Sequence, residues 1–381
     1  PTTTTFAIVQ SSPKSACQTR HDKRAGPSGS TLTTSRTTVL PAAIVGFDCG
    51  RITDKSDCPY ITRATMTKPL TDEKRGIFAG ILDQPYLLLV LAPLFWGGNV
   101  VAAKLVVGEI DPFLLLACRC VLATLFILPF SWAHLRADWA EVRRTWPVLM
   151  AFGIIGYALF NAFLYIGLTM TTAVNSAIEQ ASLPMLILGA NFLIFRVRAN
   201  WLQILGVLLA ISGVILTATH GDPLRLLRMD VNLGDGFVIL ACLAYTGYTL
   251  ALRFRPKVHM FSFMAVSFFG AASASVVMLA LFGGGFETVG SLTSASPRVW
   301  AVIAYVAIFP SMFSQVAYAR GVELVGPNRA APSHNLIPVF GTLGSVLILG
   351  EVLETYHFAA AAIIIGGIVM AEWAARHRLV G

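Results

Sequence analysis

The stretch DPFLLLACRCVLATLFILPF, residues 111–130, is apolar enough to lie in lipid from end to end, yet it carries Arg119 in its interior. As a helix, about 20 such residues span a hydrocarbon core of roughly 30 Å. An arginine near the middle of that helix costs at least about 2.5 kcal/mol, so it faces protein or a wet cavity and marks a functional site by default. The number of such runs sets the fold. What Arg119 faces sets the site.

Outward from this helix, which covers 112–132, nine further apolar runs lie near 85–106, 146–168, 172–195, 200–219, 234–252, 260–282, 299–319, 330–349 and 356–374. The pattern predicts an all-α membrane protein with ten transmembrane helices and connections too short for a soluble domain. Composition agrees: 13% of residues are charged, against about 25% in soluble domains. The net charge of +8 follows from topology in such a chain. No basic face is interleaved with aromatics, so the partners expected are the lipid bilayer and a small molecule, with no nucleic acid. Cys17, Cys49 and Cys58 fall in the polar N-terminal region and Cys118, Cys120 and Cys242 in apolar runs. Without paired CxxC spacing they read as free thiols, with no metal and no cofactor implied.

Residues 1–65 are rich in Thr and Ser, lack helical periodicity and read as a disordered leader. Met66 opens MTKPLTDEKRG, so translation from Met66, with an upstream extension before it, is one expectation. An Arg-rich transit peptide is the other, with Asp48, Asp54 and Asp57 against it. Residues 66–84 form a polar segment ahead of the first span.

Lys and Arg concentrate in cytoplasmic loops. With the leader inside, the inner connections and tail carry Arg136, Arg143, Arg144, Arg196, Arg198, Arg253, Arg255, Lys257, Arg320, Arg329, Arg376 and Arg378, against Arg225, Arg228 and Arg298 outside. Both termini, including the tail 375–381, are therefore expected in the cytoplasm, and the protein in the inner membrane.

A shift of 154 positions lays the second half on the first: Trp146 meets Trp300, Gly167 meets Gly321, Pro184 meets Pro338, Gly213 meets Gly367, and Asn161 meets Gln315. Near the start of each half, a shift of 149 sets WGGNVVAAK (96–104) on YTGYTLALR (245–253). Two five-helix repeats, 85–219 and 232–374, enter the membrane in opposite directions because five is odd. Inverted repeats are a signature of secondary transporters, whose substrate sits near the midplane between the halves.

The stretch LFWGGNVVAAKLVVGEIDPFLLLACRCVLA, the Pro-centred SLPMLILGANFLIF and NLIPVFGTLGSVLILGE, and the closing AAAAIIIGGIVMAEW resemble the EamA family of the drug/metabolite transporter superfamily over about residues 85–374. The resemblance implies a bundle of two EamA repeats that moves small metabolites by alternating access. One departure is plain: Gly350 and Glu351 follow the fourth helix of the second repeat as the family pattern requires, whereas Arg196 and Val197 stand there in the first.

Arg119 lies seven residues past Pro112, so its Cα is about 10 Å below the helix end. Glu179, seven residues past Thr172, and Asn161, on the third helix, reach a comparable depth. Arg119 and Glu179 either form a static ion pair or border a substrate cavity in which Glu179 accepts a coupling proton. Trp96 and Asn99 are candidate lining groups from the first helix, each with a structural alternative as membrane anchor or interhelical bond. The second half offers Gln315, Tyr318, His334 and Asn335, with His334 able to change charge near neutral pH or to act as a fixed donor. Pro184 and Pro338 break the fourth helix of each half, as hinge or fixed kink. Gly97 and Gly98 read as packing, and Gly206, Gly213, Gly366 and Gly367 as packing or homodimer surfaces.

These features point to a secondary transporter, most readily an exporter, of a small polar metabolite such as an amino acid, driven by a proton or substrate gradient. No GxxxxGK[ST] run is present, so ATP is not the expected fuel. A non-transporting scaffold or channel is the alternative. A membrane enzyme would need a reactive cluster of His, Asp and Glu, and none is spaced for one.

Overall fold

The computed structural model describes residues 83–196, 200–222, 232–326 and 330–377. The leader, nearly all of segment 66–84, Val197, Arg198, Arg225, Arg228, Arg329 and Arg378 lie outside them. Among the described residues every regular element is helical.

In the first half, α1 is Pro85–Leu105 and α2 is Pro112–Ala137. Helix α3, Trp139–Gly153, continues through a π-helical turn, Ile154–Leu159, into α4, Phe160–Met170. Then come α5, Ala173–Gln180, α6, Leu183–Phe195, and α7, Trp201–Ala218. In the second half, α8 is Leu233–Ala251, α9 is Met260–Phe282, and α10, Pro297–Ile308, passes through a second π-helical turn, Phe309–Phe313, into α11, Ser314–Val325. A 3₁₀ turn, Ala331–Asn335, leads into α12, Leu336–Gly344, a third π-helical turn, Ser345–Leu349, and α13, Thr355–His377. Seven helical stretches are long and apolar enough to cross a membrane, α5 with α6 passes as an eighth when taken together, and Ser333–Leu349 and Thr355–Ala371 are shorter apolar helices.

Local chemistry sets the helix starts. Asp111 Oδ1 accepts from the amides of Phe113 and Leu114, with Pro112 at the first helical position; Asn200 and Gln203 form a reciprocal capping box at α7; and Ser296 caps α10 ahead of Pro297. Hydropathy places a connection at 133–145, but α2 runs to Ala137 and α3 begins at Trp139, turning only at Asp138. The segment AHLRADWAEVRR holds neither Gly nor Pro, and its good helix formers extend both helices past their apolar runs.

Pro184 stands just after a break. The axes of α5 and α6 differ by 41° across residues 181–182, and Pro184 occupies the first turn of α6, where its missing N–H costs no helical bond. Pro338 sits in the first turn of α12, after the 3₁₀ turn.

Helix α7 lies along α13, α2 along α9, α1 against α11 and α12, and α8 against α4, α5 and α6. At the α7–α13 crossing, a Cβ on Gly206 would come within 2.6 Å of the Gly367 carbonyl, and one on Gly367 within 2.6 Å of the Gly206 carbonyl. Gly213 likewise packs on Ile364. These three glycines therefore serve packing within the chain, while Gly366 meets nothing within 4 Å.

Two groups of contacts tie described connections to helix ends. In the first, Lys104 Nζ donates to the carbonyls of Leu168 (2.8 Å) and Thr171 (2.6 Å), closing the C-terminus of α4, and Asn232 donates to the Met170 carbonyl. There the Glu351 carboxylate accepts from the amides of Ala173 (2.9 Å) and Val174 (2.8 Å), satisfying orphan donors at the N-terminus of α5. In the second, Asp138 accepts from the His259 amide and Arg320 pairs with Asp83.

Candidate functional site

Helix α2 carries Arg119 into the bundle, where its side chain is buried. Nε donates to Ser311 Oγ (2.8 Å), and Nη1 lies within hydrogen-bond distance of Asn99 Oδ1 (2.8 Å), Asn161 Oδ1 (2.6 Å) and the Tyr165 hydroxyl (2.7 Å). The acceptors are themselves fixed: Tyr165 donates to Asn99 Oδ1 (2.9 Å), Asn161 Nδ2 to the Tyr157 carbonyl (2.7 Å), and Ser311 Oγ to the Val306 carbonyl (2.8 Å). All partners are neutral. The guanidinium keeps its full charge in a buried setting, with no carboxylate bonded to it among the described residues, and its bonds leave from Nε and Nη1, none from Nη2. Hydrogen bonds to a charged group contribute about 1.5–3 kcal/mol each, which offsets burial but leaves a net positive site.

The structure thus brings together Asn99, Arg119 and Asn161. It does not bond Glu179 to them, and the ion pair weighed from sequence is corrected: Glu179 is fully buried on α5, and among the described residues neither carboxyl oxygen has a hydrogen-bond partner. Depth fixes one coordinate of a side chain and leaves its azimuth around the helix open, so equal depth did not imply a bond between Glu179 and Arg119.

Trp96, Tyr318 and His334 form a separate aromatic group. The indole lies 5.7 Å from the Tyr318 ring and 5.2 Å from His334, the Tyr318 and His334 rings meet edge-on at 4.4 Å, and Trp96 Nε1 donates to the Pro310 carbonyl (3.0 Å). Pro310 and Ser311 both belong to the π-helical turn 309–313, so one irregular turn serves both groups. Such turns are frequent at functional sites. Gln315 and Asn335 are half-buried on adjoining elements.

The positions aligned with Trp96 and Asn99 are Tyr245 and Tyr248, so the second half keeps an aromatic at the first and replaces the amide with an aromatic at the second. The Tyr248 hydroxyl meets that of Tyr157 at 3.3 Å, within the first π-helical turn, and Phe268 packs on Tyr157 at 4.9 Å. Tyr165 and Ser311 were missed by sequence reasoning. Tyr165 had a readable signal, lying one helical turn beyond Asn161. Ser311, 192 residues from Arg119 along the chain, had none.

The EamA-like transporter family matches residues 84–219 and again 232–373. The chain belongs to the EamA-like transporter family. This EamA protein is 26% identical over 292 residues to the uncharacterized transporter YyaM of Bacillus subtilis, covering 75% of the chain and 93% of the relative. It is 27% identical over 323 residues to YetK of the same organism, covering 83% and 92%. A chloroplastic WAT1-related protein of Arabidopsis thaliana is 22% identical over 76% of the chain and 69% of the relative. One solved structure, titled only as the crystal structure of a protein, superposes with a TM-score of 0.54 at 19% identity, covering 77% of this chain and 98% of that one, a likeness of fold. With its apolar helices, this EamA protein is a multi-pass membrane protein of a transporter family.

Proposed function

We propose that the chain is an inner-membrane secondary transporter that exports a small polar metabolite bearing a carboxylate, such as an amino acid, by alternating access. The observation that carries this reading is the Arg119 guanidinium, buried and held only by neutral acceptors. A static structural cation would be expected beside a counter-charge, whereas a binding site keeps its charge for the ligand. Asn99, Asn161, Tyr165 and Ser311 orient the guanidinium. Trp96, Tyr318 and His334, with Gln315 and Asn335 near them, line the adjoining side. Glu179 is the acceptor for a coupling proton.

The architecture that goes with this function is ten spans in two inverted repeats, 85–219 and 232–374, with segment 66–84 and tail 375–381 cytoplasmic. Several features support it: exchange of the halves maps the α1 contacts with α11 and α12 onto those of α8 with α4 and with α5 and α6, and π-helical turns recur at 154–159 and 309–313. The break before Pro184 and the 3₁₀-to-α junction before Pro338 are the hinges. Lys and Arg at 136, 143, 144, 253, 255, 257 and 320 all belong to the end bearing Asp138 and Asp83, as an inner face requires.

The test is flux in vesicles reconstituted with the full chain. Saturable, gradient-dependent export of amino acids supports the reading. A non-saturable leak favours a channel, absence of flux across a metabolite panel favours a scaffold, and chemical conversion of the added solute favours an enzyme.

A further inference from the structure

At the bundle end that holds the α4–α5 turn, five elements bring amide and titratable side chains into one chain of contacts. Asp235, in the first turn of α8, is fully buried. Its Oδ1 accepts from the Thr171 hydroxyl and from Asn175 Nδ2 (3.5 Å), while Oδ2 has no hydrogen-bond partner among the described residues and faces His220 Nε2 at 3.8 Å. The His220 side chain is 33% exposed, so the chain of contacts reaches solvent there. Asn175 is oriented from its far side: His357 Nδ1 accepts from the Glu354 amide (2.8 Å), which leaves its Nε2–H to donate to Asn175 Oδ1 (2.8 Å). The Asn175 amino group therefore turns to Asp235 and to His220 Nε2 (3.4 Å). Glu179 lies one turn deeper on α5, about 6 Å along the axis, with both oxygens bare. Asp235 and, on α8, Cys242 are its titratable neighbours. Lys104 does not neutralise these carboxyls, because its ammonium is bound to two carbonyls, and Glu351 is engaged with the α5 amides.

A structural role accounts for part of this arrangement. A carboxylate in the first turn of a helix is favoured by the helix dipole, and Thr171 and Asn175 tie the α4–α5 turn to α8. That role leaves unexplained a bare Asp235 oxygen beside a part-exposed imidazole, and a partnerless carboxyl one turn below. Burying an ionised carboxylate without a partner is costly, so Glu179 holds a proton in this state and needs a route by which to exchange it.

We infer that His220 and Asp235 collect protons at this end and deliver them to Glu179, along a path separate from the Arg119 cluster. A proton from hydronium or buffer binds His220 Nε2, passes to Asp235 Oδ2 and, once Glu179 has released its own proton, crosses by way of a water to a Glu179 oxygen; His220 and Asp235 return to their starting states, and only N–H and O–H bonds form and break. The use of the path in coupling rests on the transport reading above, but its chemistry does not.

The test uses the purified full chain in lipid vesicles and dicyclohexylcarbodiimide, an apolar reagent for protonated buried carboxyls, with the Glu179 adduct read by peptide mass spectrometry. The expected result is an adduct at acid pH that falls about tenfold per pH unit once the single proton is lost, and no adduct at that position in Glu179→Gln. Asp235→Asn and His220→Ala should each slow the response of labelling to a pH jump at least tenfold without changing its final extent at acid pH. If Asp235→Asn does not fold, His220→Ala carries the test. An unchanged response in the variants overturns the path, and labelling of Glu179 that is absent or independent of pH overturns its role as acceptor. No substrate enters the assay, so it fails or holds independently of the flux experiment.

Discussion

Arg119 Nη1 and Asn161 Oδ1 stand 2.6 Å apart between α2 and α4, and the same Nη1 reaches Asn99 and Tyr165. A buried cation is thus tied into three spans by neutral oxygens, while Glu179, fully buried, has no hydrogen-bond partner among the described residues. A buried charge without a counter-ion and a buried carboxyl without a hydrogen bond are both costly for stability, and each is free to meet something that comes and goes.

Glu179→Gln should leave the fold intact. The carboxyl makes no bond to lose, and a neutral amide of the same shape is no harder to bury than an acid. Melting in detergent should stay within a few degrees of wild type, since about 1 kcal/mol shifts the midpoint of a chain of this size by only a few degrees. Gradient-driven accumulation in vesicles should be lost while substrate exchange persists. Loss of both, with normal folding, would place Glu179 on the substrate instead.

Glu351 caps α5 through two backbone amides, and removal of such a cap costs about 1 kcal/mol, up to about 2. Glu351→Ala should lower the melting temperature measurably, and Glu351→Gln, which retains one acceptor oxygen, should lower it less. Equal and negligible effects of both would show that the cap contributes nothing.

Arg196 and Gly350 occupy matching positions and share a left-handed backbone, with φ of 51° and 71°. Only glycine adopts that region without penalty. Arg196→Gly should therefore stabilise the chain by roughly 0.5–1 kcal/mol, and Gly350→Ala should destabilise it by about 1 kcal/mol. Thermal denaturation of the two variants side by side would reveal whether the signs are opposite.

His259 caps α9, its Nδ1 accepting from the Phe261 amide at 3.3 Å, and its ring stacks on His134 at 3.7 Å. Partial burial and the neighbouring His134 lower its affinity for a proton, against the opposing pull of Asp138 and Glu323. The folded chain therefore binds this proton less readily than the unfolded chain does. Its contribution to stability is full above the unfolded value near 6.5 and is lost as pH falls below that. A melting series from pH 8 to pH 5 should show this decline, and His259→Asn, which keeps a capping acceptor without a titrating ring, should flatten it. A decline of equal size in the variant would assign it to other groups.

Hydropathy made an all-helical membrane bundle legible, with seven of the described helical stretches long and apolar enough to span and an eighth when α5 and α6 are joined, but it could not find the ends of α2 and α3, where charged helix formers continue the turn. Arg119, Asn99 and Asn161 were legible as costly residues in apolar helices. Ser311 was not, since a serine is unremarkable in any helix and only the packing of α2 against the second half sets it beside the guanidinium. Asp235 carried the same signal as Arg119, an ionisable group in an apolar helix, but its place in a first turn reads equally well as capping. That Arg119 and Glu179 share no hydrogen bond was beyond the sequence, because equal depth leaves two azimuths undetermined.

The most direct test of the Arg119 site is the flux of labelled amino acids from vesicles containing wild type, Arg119→Lys or Arg119→Ala, at matched and verified protein levels. The neutral groups around Arg119 can partly bond to one another, as Tyr165 already does to Asn99, so the alanine variant is expected to fold. Loss of one or two charge-assisted bonds predicts a fall in flux of about 10- to 100-fold for alanine and a smaller fall for lysine, which keeps the charge without the fork. Wild-type flux in the alanine variant, with the chain folded, would contradict the account.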